Sequence, residues 1–515
     1  MLLNRILENL KHNDKKIVYR NLKNYYTYAS LYKYVKNVYK FMGNNNIINK
    51  KIIVYGHKDI SMIASFLGCS FSGNTYIPID DSIPKDRLKF IINEARPAVF
   101  INTTDEKIDI SDKNIKYVNK NDITKIMESE NFDFEIEPLL DENDIYYIIY
   151  TSGSTGNPKG VKITYKNLNS FVKWHTEVIS VVEGKVLNQA NFSFDLSVAD
   201  IYLSLYVGLE EVVLENQIQK DFPLLMKFIK ENNVDIMVMT PSFAEKLLLD
   251  NSFRRENLDK LKKIYFCGET LQRSTAKRLI DRFGDNISII NAYGPTECTV
   301  AVTSIEITKS KLEECENANK TLPIGKVKKD CKIKIVDENN NELTDGNIGE
   351  ILILGKSVSN GYVDSQNVKN NNFIVLDNEK GYLTGDLGYI ENGILYYKDR
   401  KDNQIKYSGY RIEKSDIENN LYKLNYIEKA AVVTKDNVDG KVMKIIAFVT
   451  VTENIDSINI RNDLKKYLPE YMIPVIKIID EMPLNNNGKC DVKKLKEIAS
   501  GRENYWYISK SMWRW

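Results

Sequence analysis

The apolar positions of the chain alternate between a helical and a strand period. Over residues 28–42, Leu31, Val35, Val38 and Met42 fall on one helical face, and the short run Ile52-Ile-Val-Tyr55 that follows is strand-like. A helix over about 59–70, the run Tyr76-Ile-Pro-Ile-Asp80, a helix after Pro84 and Arg87, and the run Ala98-Val-Phe-Ile101 continue the alternation. Such β–α–β order predicts a parallel sheet covered by helices. Residues 103–140 are polar and weakly patterned, and are expected to form surface.

The alternation resumes after Ile145-Tyr-Tyr-Ile-Ile-Tyr150, an apolar strand-like run. Helices are expected over about 165–180, after Asn191-Phe-Ser-Phe-Asp-Leu-Ser197, near 221–232 and from Thr240-Pro-Ser-Phe243. Between and after them lie the strand-like runs Asp235 to Met239, Lys263 to Cys267 and Ile287 to Asn291. The last two end in the polar, glycine-containing turns Gly268-Glu-Thr270 and Ala292-Tyr-Gly-Pro-Thr-Glu297. Ligands of open α/β sheets bind outside the carboxyl ends of strands, so these turns are expected to face one crevice.

From about residue 322 the period becomes two, with Lys332 to Val336, Glu350 to Leu354 and a hairpin from Tyr389 to Tyr397 about Asn392-Gly393. The charged stretch Asp399-Arg-Lys-Asp-Asn-Gln-Ile-Lys406 reads as a linker, and Ser415-x-x-Glu418 as a capping box opening a helix. Strands 429–433 and 444–451, a hairpin about Asn437 to Gly440, and a helix over 457–467 complete a small α+β domain. The expected class is α/β. A large multi-lobed N-terminal domain (1–401) has mixed sheets and a β-rich lobe from about 322. A small mobile α+β domain (402–500) and an aromatic tail (501–515) follow it.

Composition narrows the function classes. In 515 residues, 43% hydrophobic and 28% charged content describes a globular chain, and a net charge of +2 gives no nucleic-acid signature. Six scattered cysteines and three histidines show no metal spacing and fit a reducing compartment. Charges interrupt the apolar residues of the first eleven positions, unlike a signal peptide, and no apolar run is long enough to span a membrane. A soluble, cytoplasmic monomer is the expectation.

The strongest local signal is Tyr150-Thr-Ser-Gly-Ser-Thr-Gly-Asn-Pro-Lys-Gly160, leaving an apolar strand. Its glycines Gly153 and Gly156 allow close backbone approach, Thr151, Ser152, Ser154 and Thr155 supply hydroxyls, and Lys159 supplies positive charge. Together they suit a polyphosphate. A Walker A loop is excluded, because Lys159 is followed by Gly160 rather than Ser or Thr.

With this loop, Tyr293-Gly-Pro-Thr-Glu297, Tyr382-Leu-Thr-Gly-Asp386, Asp399 to Lys406 and Asn487-Gly-Lys489 in this order, the chain resembles the adenylate-forming superfamily. That superfamily comprises acyl-CoA synthetases, luciferases and the amino-acid-adenylating domains of peptide synthetases. The resemblance covers about residues 20–495. It implies ATP as substrate, held by the 150–160 loop, by Asn291, Ala292, Tyr293, Gly294, Pro295 and Thr296, and by Asp386, Tyr397, Arg400 and Lys489. It implies Mg²⁺ near Glu297, a hinge at Asp402, and catalysis by Lys489 and Glu297. Each role has a physical reading: an aromatic face for adenine at Tyr293, an acceptor for two ribose hydroxyls at Asp386, and a compact positive charge at Lys489.

Asp195 matches the aspartate with which amino-acid-activating members hold the substrate α-ammonium, which fatty-acid and aryl-acid pockets do not need. Asn188 to Asp200, Thr240 to Phe243, Phe266-Cys-Gly-Glu269 and Asn291 to Thr303 most resemble the ligases that activate D-alanine for a carrier protein in teichoic-acid decoration. That resemblance places Cys267 and Val300 at the substrate side chain, with Lys489 at its carboxylate. It implies a phosphopantetheinyl carrier protein as acyl acceptor, reached when the small domain turns and brings in Tyr407 to Arg411. Cys298 stands where alanine is expected, and Ala29 where glutamate is. Three readings remain beside D-alanine activation: activation of another small amino acid, an acyl-CoA synthetase, and a non-catalytic nucleotide-binding module.

Overall fold

The computed structural model describes all residues except 131–133, 154–156, 364–371, 402–403, 438–440, 485–489 and 502–515. Its contacts divide the chain into two compact units: one of residues 1–81, 94–150 and 160–401, the other of residues 82–93, 151–159 and the segment from 402 onward. Ser154, Thr155, Gly156, Asp402, Lys489 and the aromatic tail lie outside the described residues.

The first unit is built on a nine-stranded and a six-stranded sheet. In the larger sheet, Glu210–Val213, Lys185–Asn188, Ile236–Met239, Lys263–Phe266 and Ser288–Tyr293 lie side by side and parallel. Their apolar residues are buried almost without exception, as a parallel sheet covered on both faces requires. Phe266 pairs with both Met239 and Asn291, so Ile236–Met239 and Lys263–Phe266 end level, Ser288–Tyr293 runs two residues further, and the turns after them share one edge. The Leu196–Val207 helix is buried from Leu196 to Leu205 and packs on the Lys185–Asn188 strand. An apolar surface on all sides places it in the core rather than at the surface.

In the smaller sheet Lys51–Gly56, Thr75–Asp80 and Val99–Asn102 are parallel, as the β–α–β pattern predicts. Residues 103–140 depart from expectation. They contain the strand Lys116–Val118 and the helix Lys120–Glu128, which opens on an Asn119–Asp122 capping box and buries Ile123 and Met127. Only two apolar anchors on a nine-residue helix leave a weak periodic signal. The N-terminal residues form the helix Leu2–His12, whose apolar face Leu2, Leu3, Ile6 and Leu10 is buried.

The β-rich lobe is a five-stranded antiparallel sheet from Cys331–Val336 to Ile394–Arg400. Its expected hairpin turns at Asn392 and Gly393, both with positive φ, 52° and 72°, the pattern of an Asn-Gly type I′ turn. The linker reading of Asp399 to Lys406 is corrected in part, because Asp399 and Arg400 close a strand and Gln404–Tyr407 forms another. Arg400 is fixed there by pairing opposite Asp386.

In the second unit, Ile427–Asp436, Val442–Val451 and Val475–Ile478 form a sheet, and the core includes Ile417, Val432, Ala447 and Leu464. The expected capping box at Ser415 and Glu418 does not form. The helix Lys414–Leu421 starts from Glu413, so Ser415 is already inside it, and Glu418 Oε1 instead accepts from Val432 N–H at 2.8 Å. Among the described residues, no helix is long and apolar enough to cross a membrane.

Candidate active site

Three clusters of polar side chains in the first unit gather residues that the sequence pattern singles out. The first centres on Asp386, which lies in the long strand Glu379–Glu391 and pairs across the sheet with Arg400. Its Oδ2 accepts from the Tyr293 hydroxyl and its Oδ1 from the Arg400 guanidinium, each at 2.6 Å. Arg400 also donates to the Thr384 carbonyl at 3.3 Å, and the Thr384 hydroxyl accepts from Asp386 N–H at 3.1 Å. The carboxylate retains lone pairs for two further donors, so these contacts leave it able to take a diol. Burial and the neighbouring Asp386 charge push the Tyr293 phenol well above its ordinary pKa, so it is held as a donor. Tyr293 is thus placed as the partner of Asp386 through its hydroxyl, a relation its expected role as an aromatic face did not include.

The second cluster joins two motifs distant in sequence. The Thr296 hydroxyl donates to Asp195 Oδ2 at 2.6 Å. Asp195 occupies the N-cap position of the Leu196–Val207 helix, yet its side chain makes no capping hydrogen bond. The carboxylate is therefore directed to Thr296 rather than spent on the helix terminus, which argues against a purely capping role. The next residue, Glu297, is buried, and its Oε1 accepts from the Tyr362 hydroxyl at 2.8 Å. Tyr362 is set opposite Val161 by an antiparallel bridge. It carries no recognisable motif, so sequence reasoning missed it.

The third cluster lies where Lys263–Phe266 and the turn after Ser288–Tyr293 end. The Cys267 thiol donates to the Val300 carbonyl at 3.6 Å, and both residues are buried. Thr299 and Val300 have positive φ, 59° and 67°, an unusual conformation for β-branched residues that marks a constrained turn. Gly294 is needed for this turn, since a Cβ there would lie 2.6 Å from Ala301 Cα. Cys298 is buried among Tyr293, Val302 and Cys331 in the apolar core beneath. Asn291 donates to the Pro323 carbonyl at 2.8 Å, and Ala292 and Pro295 lie on the backbone between these clusters. The Tyr397 carbonyl accepts from the Thr321 hydroxyl at 3.2 Å.

Thr151, Ser152, Gly153 and Lys159 belong to the second unit. There the Ser152 hydroxyl donates to the Arg411 carbonyl at 2.8 Å. A Cβ on Gly153 would meet the Asn157 carbonyl at 2.1 Å, so the bend requires glycine.

The model of the AMP-binding enzymes matches residues 8–363, and that of the AMP-binding enzyme C-terminal domain matches residues 416–489. The chain belongs to the AMP-binding enzyme family. The D-alanine–D-alanyl carrier protein ligase of Listeria innocua serovar 6a is 42% identical over 462 residues, 88% of this chain and 89% of that protein. The ligase of the same name from Bacillus cereus strain AH187 is 40% identical over 457 residues, covering 86% and 88%. The fold is shared with the Vibrio cholerae adenylation domain AlmE, solved with glycyl-adenosine-5'-phosphate: TM-score 0.81, 20% identity, 97% of this chain and 98% of that one. It is also shared with o-succinylbenzoate CoA synthetase from Bacillus subtilis: TM-score 0.82, 17% identity, covering 96% and 98%.

Proposed function

We propose that the chain is an AMP-forming ligase that activates D-alanine with ATP and transfers it to the phosphopantetheine thiol of a carrier protein, as in teichoic-acid decoration. The observation that carries this reading is the pairing of Asp195 with Thr296, beside strand ends where Cys267 meets the Val300 carbonyl. A carboxylate at that position suits an ammonium group, and the adjacent thiol and valine suit a small side chain. The high identity to ligases named for D-alanine supports the choice of substrate.

In the first half-reaction the amino-acid carboxylate attacks the α-phosphorus in line. An O–P bond forms, the bond to the β-phosphate oxygen breaks, and pyrophosphate leaves. Asp386 and Arg400 hold the ribose end, Asp195 takes the ammonium, and the 150–160 loop holds the terminal phosphates, so the protein contributes position and charge rather than proton transfer. The Glu297 carboxylate is a hard oxygen donor of the kind Mg²⁺ prefers, and a magnesium ion there would supply charge neutralisation for the phosphates. Lys489 serves the same purpose at the substrate carboxylate.

In the second half-reaction the carrier thiol attacks the acyl carbon, a thioester forms and AMP leaves. The C-terminal part, from Asp402 to about residue 500, acts as a lid that turns about Asp402 between the two reactions, and the protein works as a cytoplasmic monomer.

Amino-acid-dependent ATP–pyrophosphate exchange tests this reading. D-alanine is expected to support exchange with kcat/KM about tenfold or more above L-alanine, glycine and β-alanine, the order of discrimination a methyl-sized pocket contact gives. Exchange with L-alanine as fast as with D-alanine refutes the substrate assignment. No exchange with any acid refutes the ligase.

A further inference from the structure

Lys58 is fully buried in the first unit, and none of the chemistry above employs it. Its ammonium donates to the Gln189 carbonyl at 2.7 Å and to the Leu214 carbonyl at 2.9 Å. The same two carbonyls accept from the Gln219 amide, at 3.2 and 3.0 Å. These are the first carbonyls beyond two adjacent parallel strands, Lys185–Asn188 and Glu210–Val213. Each carbonyl oxygen thus accepts two donors, one from Lys58 and one from Gln219, and the two strand ends are clamped together.

The segment that leaves this clamp reaches Asp195 six positions after Gln189. Beyond Asp195 it is fastened again, because Asn188 Nδ2 donates to Asp200 Oδ1 at 3.0 Å and so ties the helix to the same strand end. Asp195 therefore sits between two anchors, both rooted at the carboxyl end of the Lys185–Asn188 strand. The charges around the clamp are coupled as well. Burial lowers the Lys58 pKa to about 8 and raises the Asp200 and Glu211 carboxyls, while each carboxylate favours the ammonium. Asn188 Oδ1, Asp200 Oδ2 and Glu211 Oε1 are buried acceptors with no hydrogen-bond partner among the described residues. Removal of the lysine charge would leave these carboxyls without their cation, and the segment they help to hold would relax.

We infer that Lys58 is a positioning residue for Asp195, setting through the Gln189 and Leu214 carbonyls the place at which the substrate ammonium is recognised. This rests on Asp195 as the ammonium partner. The ATP-side groups Asp386, Arg400 and Tyr293 are held by other strands, so the effect is confined to the amino acid.

The test compares two acids that differ by the amino group, D-alanine and propionate, in pyrophosphate exchange with the full-length enzyme. In Lys58→Met, the KM for D-alanine is expected to rise about tenfold or more, while the Ki of propionate as a competitor and the KM for ATP each stay within about twofold. In Gln219→Ala, which removes the weaker half of the clamp, the KM for D-alanine is expected to rise about threefold with the same selectivity. If Lys58→Met does not fold, Gln219→Ala decides. Equal changes in the D-alanine and propionate constants, or none in either, would show that the clamp is structural and would overturn the inference. A wild-type enzyme that binds propionate as tightly as D-alanine would overturn the ammonium role of Asp195 itself, a separate and earlier failure.

Discussion

Replacement of Asp195 by alanine is expected to lower kcat/KM for D-alanine in pyrophosphate exchange about 10³-fold, some 4 kcal/mol. The carboxylate accepts from the Thr296 hydroxyl rather than capping its own helix terminus, and a carboxylate at that place suits an ammonium group. Its removal leaves the substrate ammonium desolvated against a hydroxyl, which satisfies one hydrogen bond and none of the charge. Asp195→Asn keeps the shape and the contact to Thr296 but loses the charge, and should recover only a small part of the activity. The KM for ATP is expected to stay within about threefold in both variants, because charge loss at the amino-acid end leaves the nucleotide contacts intact. Activity within threefold of wild type in Asp195→Ala would remove the amino-acid reading and return the acyl-CoA synthetase reading.

The second large effect belongs to Asp386. Arg400 and Tyr293 both donate to this carboxylate, and the Arg400 and Asp386 side chains are 8% and 2% exposed. In Asp386→Ala a nearly buried guanidinium loses this carboxylate and a buried phenol loses this acceptor, a loss of about 3–5 kcal/mol in the first unit. The KM for ATP is expected to rise more than tenfold, since the acceptor proposed for the ribose hydroxyls has gone, while the apparent melting temperature falls. A double variant, Asp386→Ala with Arg400→Met, should recover part of the stability and none of the ATP affinity, because it removes the guanidinium that the carboxylate offset but not the need for an acceptor. If ATP affinity returns together with stability, Asp386 serves the fold alone.

The period along the chain was enough to place three strands of the larger sheet, Ile236–Met239, Lys263–Phe266 and Ser288–Tyr293, but not the short strands Lys185–Asn188 and Glu210–Val213 beside them. Long apolar runs such as Ile287 to Asn291 can be buried only in a covered parallel sheet, so their sequence carries their environment. The 103–140 segment failed because a short helix with two buried anchors has almost no period to read. Ser415 misled because the capping pattern is local, whereas the start of that helix is fixed by the strand Tyr410–Glu413 before it.

The candidate site divides in the same way. The glycine-rich loop, Tyr293 to Glu297, Asp386 and Asp195 were each legible as residues whose chemistry is unusual for their position, and their order named a family. What the sequence could not hold was their pairing: Thr296 with Asp195, Tyr293 with Asp386 and Arg400, Tyr362 with Glu297, Lys58 and Gln219 on one pair of carbonyls. These partners lie tens to hundreds of positions apart, and no local propensity links them. The sequence by itself determined that this chain is an α/β protein with the chemistry to hold ATP and a small amino acid. Only the tertiary structure decided which side chain faces which, because parallel strands paired side by side bring the residues that follow them to one edge, whatever their separation along the chain.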